Sequence, residues 1–87
     1  MLTERENILI ECLVKDYIAN GNAISSDRLL EKTGLKYSTA TIRKDLIKLE
    51  RLGLVESTHV SSGRVPTVKG YRYYIDKNLK RKPLSKS

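Results

Sequence analysis

The chain has 87 residues and a formal net charge of +7, with one cysteine, one histidine and no tryptophan or phenylalanine. A single cysteine excludes an intrachain disulfide and a cysteine-based metal site, and the chain has no apolar run long enough to span a bilayer. We therefore expect one small cytoplasmic domain with no membrane segment, no metal and no other cofactor.

The positive charge is concentrated in the second part of the chain. Residues 1–34 carry four basic and six acidic side chains, whereas residues 35–87 carry thirteen basic and four acidic ones. A surface that only keeps a protein soluble mixes both signs, so this asymmetry indicates a polyanionic partner that meets one face. Together with the helix-turn-helix and wing that follow in the chain, this asymmetry predicts double-stranded DNA as the partner.

The first helix is predicted between a cap at Thr3 and a stop at Gly21. Thr3 and Glu6 have the spacing of a capping box, and glycine after Asn20 is a typical C-cap. Cys12 is interpreted as a small buried side chain of this helix. Apolar residues at helical spacing form one apolar stripe, namely Ile10, Leu13, Val14, Tyr17 and Ile18.

A helix-turn-helix is predicted in the next segment. Residues 23–25 are interpreted as a very short strand that pairs with a later hairpin. A second helix then begins with a cap at Ser25 or Ser26 and ends at Gly34. Residues 34–37 form a tight turn to a third helix, and a turn of this length with glycine is the signature of the motif.

The third helix is predicted over residues 38–52, with a buried stripe of Ile42, Leu46, Leu49 and Leu52. Its opposite face carries Thr39, Ala40, Arg43, Lys44 and Lys48. Small or hydroxyl side chains near the N-terminus let the backbone approach DNA, and basic side chains one turn later reach base edges and phosphates. We therefore predict that this helix enters the major groove.

A β wing is predicted after the third helix. Residues 54–57 and a strand near Val65 are its two arms, and a polar loop joins them. Arg64 lies where a guanidinium follows the DNA backbone or enters a minor groove. His59 is expected at the wing tip, where it contacts phosphate. A metal role is not expected for it, because no second histidine or cysteine supplies a site.

The last helix is predicted to begin with a cap at Thr67, after Pro66 ends the strand. Its expected packing face is Tyr71, Tyr74 and Ile75, whereas Arg72 and Tyr73 point elsewhere. Residues 1–76 are thus predicted to be one winged-helix domain, and residues 77–87 a basic tail or linker stump. The predicted fold class is mostly α with a small β wing, a winged helix-turn-helix of the α+β type.

Three groups of residues resemble the HrcA family of heat-inducible transcription repressors. The first group is Leu2-Thr3-Glu4-Arg5 with Asp16-Tyr17-Ile18 and Gly21. The second is Ser38-Thr39-Ala40-Thr41-Ile42-Arg43-Lys44-Asp45 with Leu49-Glu50-Arg51-Leu52-Gly53-Leu54. The third is Ser62-Gly63-Arg64-Val65-Pro66-Thr67 with Gly70-Tyr71-Arg72-Tyr73-Tyr74-Ile75-Asp76. The resemblance covers about residues 2–76, and the two later groups are specific to the family.

This resemblance implies a winged-helix repressor that binds an inverted-repeat operator upstream of heat-shock (chaperone) operons. It also implies a homodimer where a dimerisation region is present, and modulation by the chaperonin GroEL. Family members continue well beyond a domain of this size. They often carry asparagine where this chain has Lys44, and we expect a different base preference because asparagine pairs bidentately with adenine and lysine does not.

The predicted function is sequence-specific DNA binding by a transcriptional repressor. Its predicted DNA contacts are Lys36, Tyr37, Ser38, Thr39, Thr41, Arg43, Lys44, Lys48, His59 and Arg64. An enzyme is not expected, since the sequence has no glycine-rich phosphate loop, metal-ligand set or nucleophile–base pair. The alternative hypothesis is a winged-helix protein-interaction module, without sequence-specific DNA binding, whose basic face meets an acidic protein surface.

Overall fold

The computed structural model describes residues 2–58 and 63–81 of the chain. Within these residues, helices and strands follow in the order α1 (Glu4–Asn20), α2 (Ser26–Thr33), α3 (Thr39–Arg51), β1 (Val55–Ser57), β2 (Arg64–Pro66) and α4 (Val68–Arg81). This order confirms the predicted fold, a winged helix-turn-helix that is mostly α with a small β wing. None of the helices in the described ranges combines the length and apolarity that a bilayer span requires.

Helix α1 begins and ends where its cap residues predict. The Thr3 hydroxyl accepts the amide of Glu6 at 3.1 Å, and the Glu6 carboxylate accepts the amide of Thr3 at 2.9 Å. At the other end Gly21 donates its amide to the Tyr17 carbonyl oxygen. The capping box therefore fixes the first turn of α1, a turn that also contacts α3.

The two helices of the helix-turn-helix are separated by a tight turn. Ser25 caps α2 and Ser38 caps α3, each by accepting an amide three residues later. Gly34 ends α2 with a φ of 70°, in the left-handed region where a side chain is strained. The chain can therefore leave α2 abruptly and begin α3 after five residues.

The wing is a two-stranded antiparallel sheet with a short extension. Val55 pairs with Pro66 and Ser57 with Arg64. Ile24 exchanges both backbone hydrogen bonds with Arg64, at 3.0 and 2.9 Å, which confirms the predicted short strand before α2. The connection between helices α1 and α2 is thus fastened to the base of the wing.

The core lies between α1, α2, α3 and the base of the wing. Helix α2 contributes Leu29, and its neighbours contribute at helical spacing. The predicted stripe of α1 is wrong at Ile18, which is 62% exposed, and Cys12 is half-buried against the core rather than buried. The buried apolar side chains are Leu9, Ile10, Leu13, Val14, Ile24, Leu29, Ile42, Leu46, Leu49, Leu54 and Val55. Their burial holds α3 on the domain by one stripe and leaves its opposite face outside.

The prediction that Leu52 completes the buried stripe of α3 is wrong, since Leu52 is 40% exposed. Two successive steps of three residues from Leu46 rotate the position by about 120° around the helix axis, away from the core. Leu52 also lies after the last helical residue, as the C-cap. The fourth buried residue is instead Asp45, which is 7% exposed.

The predicted packing face of α4 is wrong at two positions. Ile75 is 51% exposed, whereas Tyr73 packs against the core and donates its hydroxyl to Asn7. Gly70 explains the difference, because a Cβ atom there would collide with the carbonyl oxygen of Leu54. This close approach turns Gly70 inward, and Ile75 then lies about 140° away from it around the helix.

Helix α4 extends further than the predicted domain boundary. It continues to Arg81, so the first five residues of the predicted tail are helical. The division into a domain of residues 1–76 and a tail of residues 77–87 stays a prediction.

Candidate nucleic-acid interface

Helix α3 presents one exposed stripe opposite its buried residues. The stripe consists of Ala40, Arg43, Lys44, Ile47 and Arg51, all of which are exposed. We call it the outer face of α3. The burial of Ile42, Leu46 and Leu49 fixes the rotation of the helix, so this face points away from the core. Its charged side chains are all basic, as a surface for a polyanion requires.

The N-terminus of α3 carries the predicted hydroxyl residues in different environments. Ser38 is exposed, and its hydroxyl accepts the amide of Thr41 at 3.1 Å. The hydroxyls of Ser38 and Thr41 are also 3.1 Å apart, and Thr39 and Thr41 are half-buried. The cap therefore orients these small side chains at the positive end of the helix dipole, where a phosphate group is favoured.

The turn before α3 is fixed by an arginine from α1. Lys36 and Tyr37 are exposed in this turn. The guanidinium of Arg5 lies 4.6 Å from the centre of the Tyr37 ring, within the range of a cation–π contact. Arg5 also donates two hydrogen bonds to the carboxylate of Asp45 on α3, from Nε at 2.5 Å and Nη2 at 3.1 Å. One side chain thus joins α1, the turn and α3.

The contacts of Arg5 with Asp45 and Tyr37 raise the pKa of Arg5. The hydrogen bonds to Asp45 contribute most to this rise above the ordinary value, and the contact with Tyr37 follows. Asp45 is nearly buried, and its side chain is 9% exposed. The arginine therefore supplies the charge partner that a buried carboxylate needs.

Lys48, a predicted DNA contact, is joined to α1 by an ion pair. Its Nζ lies 3.0 Å from the carboxylate of Glu6, whose side chain is 5% exposed, whereas Lys48 remains 48% exposed. Burial acts to raise the pKa of Glu6. The hydrogen bonds from Thr3 and Lys48 outweigh burial, so this pKa lies below its ordinary value. Lys48 can still meet a phosphate, although Glu6 neutralises part of its charge.

Arg64 lies at the base of the wing, with a side chain that is 14% exposed. Its Nε donates to Glu50 of α3 at 3.1 Å, and the same carboxylate accepts from the hydroxyl of Ser57. Glu50 thereby joins α3 to both strands of the wing. The contact of Arg64 with DNA stays a prediction. His59, the tenth predicted contact, lies outside the described residues.

The structure brings most of the predicted contacts to one region and adds residues to it. Lys36, Tyr37 and Ser38 precede the outer face of α3 directly. Ile47 and Arg51 belong to this face and were missed, although a helical wheel places them four and eight residues after Arg43. Arg5 was missed because no local pattern relates it to Asp45, forty residues away. The described ranges contain no cluster of histidine, cysteine or acidic residues suited to a metal ion.

Three similarities to known proteins agree with this geometry. Residues 5–64 match the family of DeoR-like helix-turn-helix domains. The heat-inducible transcription repressor HrcA of Pediococcus pentosaceus is 48% identical over all 87 residues, and the chain covers 25% of that protein. A 2.2 Å crystal structure described as that of a hypothetical protein is 39% identical, with a TM-score of 0.86. The similarity covers 99% of this chain and 28% of the chain in that structure.

Proposed function

Because this chain belongs to the family of DeoR-like helix-turn-helix domains, we propose that it is the operator-binding domain of a repressor of heat-shock (chaperone) operons. Its resemblance to the HrcA repressors is confirmed, since the identity to one of them extends over the whole chain. DNA binding in transcriptional repression is the function of such a domain, and the family is not a class of enzymes. The operator and the operons are inferred from the resemblance alone.

The outer face of α3 is the single observation that carries the proposal. It combines a small residue at the N-terminus with three basic side chains on a helix whose opposite stripe is buried. An α-helix fits the major groove, and arginine and lysine there reach guanine edges and phosphates. Arg43 and Lys44 lie one turn into α3, where such side chains read bases.

The remaining predicted contacts are assigned to the DNA backbone. Lys36 and Tyr37 precede α3, and Lys48 lies beside its outer face. We add Arg51 to this group, because it extends the same face by one turn. Ser38, Thr39 and Thr41 are proposed to let the helix N-terminus approach a phosphate, and His59 and Arg64 to contact DNA from the wing.

The whole repressor is proposed to act as a cytoplasmic homodimer on an inverted repeat, with GroEL as a modulating partner. These properties come from the resemblance, because the chain spans 25% of the length of the curated relative that it matches. One copy of this domain is expected to occupy one half-site. A lone copy therefore binds more weakly than a pair that engages both half-sites together.

A fluorescence anisotropy titration tests the proposal. The chain is titrated into the inverted repeat of a chaperone operon and into a scrambled duplex of the same composition, at two salt concentrations. We expect at least roughly tenfold tighter binding to the repeat, about 1.4 kcal/mol. Equal, salt-sensitive binding to both duplexes would refute sequence reading, and no binding to either would favour the protein-interaction module.

A pair of charge-matched variants locates the binding surface. Lys44→Ala removes one positive charge from the outer face of α3, whereas Lys15→Ala removes one from an exposed position on α1. We expect the first variant to bind both duplexes more weakly and the second to bind like the parent. Equal weakening by both substitutions would point to net charge rather than to docking of α3.

A further inference from the structure

An isoleucine lies among the basic residues of the outer face of α3. Ile47 is 44% exposed, whereas the apolar side chains of the buried stripe of the same helix are at most 1% exposed. Around the helix axis Ile47 lies between Arg43 and Lys44, about 40° from the first and about 60° from the second. The face that carries the proposed base contacts therefore has an aliphatic side chain near its centre.

Basic side chains also flank Ile47 along the helix. Arg43 precedes it by four residues and Arg51 follows it by four, and both are exposed. Side chains with this spacing are neighbours on the surface of a helix. When α3 docks in the major groove as proposed, the long basic side chains reach guanine edges and phosphates, and Ile47 faces the base pairs between these contacts.

The edges of the base pairs offer one apolar substituent in the major groove. Guanine, adenine and cytosine present hydrogen-bond donors and acceptors there, whereas thymine presents its C5-methyl group beside one acceptor. An aliphatic side chain gains free energy by covering a methyl group, because apolar surface is removed from water. Against a polar base edge it removes water without supplying a hydrogen bond, which is unfavourable.

We propose that Ile47 is a specificity-determining residue, which packs against the C5-methyl group of a thymine in the operator. The inference rests on the proposed function and deepens it, because it names the base that one side chain of the outer face recognises. Arg43 and Lys44 supply the polar contacts of the same face, and Ile47 supplies an apolar one.

The side chain and its surroundings suit this contact. A β-branched side chain in a helix adopts mostly one χ1 rotamer, so Ile47 loses little conformational freedom when it docks. Ala40 lies two turns earlier on nearly the same line, about 20° around the helix axis, and is exposed. Its small side chain allows the first turn of α3 to approach the groove closely, which brings Ile47 within reach of a base.

A scan with deoxyuridine tests the proposal. Uracil pairs with adenine as thymine does and lacks only the C5-methyl group. Each thymine in the inverted repeat of a chaperone operon is replaced in turn, at the same place in both half-sites, and the complete 87-residue chain is titrated by fluorescence anisotropy. We expect one replacement to weaken binding by about fourfold, the effect of one buried methyl group.

Ile47→Ala shows whether Ile47 is the partner of that methyl group. This variant should bind the unmodified operator about three- to tenfold more weakly, and deoxyuridine at the sensitive position should cost it less than about twofold more. Ile47→Val keeps a branched aliphatic side chain, so it should retain most of the affinity and the sensitivity to the methyl group. The slope of log K against log salt should not change in either variant, because no charge is removed.

Ile18→Ala is the matched control. Ile18 is 62% exposed on α1, outside the proposed interface, so this variant should bind like the parent and keep the effect of deoxyuridine of about fourfold. Circular dichroism of each variant shows whether the helices are retained, so that a loss of binding is not mistaken for unfolding.

Two results would overturn the inference while the proposed function stands. The first is a parent chain that prefers the operator to the scrambled duplex but tolerates deoxyuridine at every position. The second is a folded Ile47→Ala variant that loses as much as the parent at the sensitive thymine, since another residue then contacts the methyl group. A parent chain without preference for the operator would instead overturn the proposed function and this inference together.

Discussion

At the scale of single residues, two kinds of basic side chain surround α3. Arg43 and Lys44 are exposed one turn into the helix, where a base edge is within reach of a long side chain. Lys48 is paired with the buried carboxylate of Glu6, and Arg64 donates to Glu50. The first kind is suited to reading bases, whereas the second also stabilises the domain.

Arg43→Ala should weaken binding to the preferred duplex by about 1–3 kcal/mol and relax the preference at one base pair. The reason is that a bidentate contact to a guanine is lost while the helix itself is retained. Anisotropy titrations against the operator and its single-base variants measure both effects. Unchanged affinity and unchanged preference would show that Arg43 does not read a base.

Glu6→Gln should lower the free energy of unfolding by about 1 kcal/mol at pH 7, because the charged acceptor of the capping box and of Lys48 is lost. The pKa of Glu6 in the folded chain lies below the ordinary value of 4.5. Its contribution is therefore complete above pH 4.5 and disappears as the pH falls through the folded pKa. The parent and the variant should converge in acid.

Urea denaturation across this pH range measures the difference between Glu6→Gln and the parent. Glu4→Gln is the control, since Glu4 is exposed in the same helical turn, and it should change stability by less than about 0.5 kcal/mol. A constant difference between Glu6→Gln and the parent down to low pH would contradict the role of the Glu6 charge.

At the scale of the elements, the first turn of α1 determines how α3 is held. Consecutive residues of that turn contact consecutive turns of α3, Arg5 through Asp45 and Glu6 through Lys48. The buried apolar stripe sets which side of α3 faces the core. Aliphatic contacts are not directional, so the two ionic contacts add directional restraints that hold α3, and with it the outer face of α3, in this position.

A double-mutant cycle tests the contact between Arg5 and Asp45. Arg5→Ala should lower the melting temperature because it leaves a nearly buried carboxylate without its partner. Asp45→Ala should also be destabilising, and the double variant should lose less than the sum of the two single losses. Additive losses, measured by thermal denaturation, would mean that the two side chains do not stabilise each other.

At the scale of the whole molecule, the charge asymmetry and the fold coincide. The acidic excess of residues 1–34 lies in α1 and α2, whereas α3 and the segments after it carry the basic excess. An electrostatic field with one acidic and one basic side attracts DNA and also orients the approaching domain. Affinity should therefore fall steeply as the salt concentration rises, because each neutralised phosphate releases counterions.

Lys36→Ala tests one of the proposed phosphate contacts. If Lys36 contacts a phosphate, its loss should weaken the operator and the scrambled duplex by the same factor. It should also reduce the slope of log K against log salt by about 1. The titration at several salt concentrations measures both quantities. A change confined to the operator would instead place Lys36 against a base.

Much of this fold follows from local signals in the sequence. Thr3, Ser25 and Gly34 mark the ends of helices because caps act within one turn. The exposure of Ile75 and the packing of Tyr73 were not predicted, since the rotation of α4 depends on the approach of Gly70 to Leu54, a contact between distant segments. The same limit applies to the interface, where α3 was predicted from its own residues but the contribution of Arg5 was not.

The attachment of α3 to the first turn of α1 has a practical consequence for laboratory work. A change in the residues that precede the capping box and Arg5 would disturb this attachment, so operator assays should leave that segment unaltered. Libraries built to obtain new operator preferences should also randomise positions 5 and 6 together with the exposed positions of α3. Selection could then adjust the angle at which α3 meets the DNA groove as well as the exposed side chains of α3.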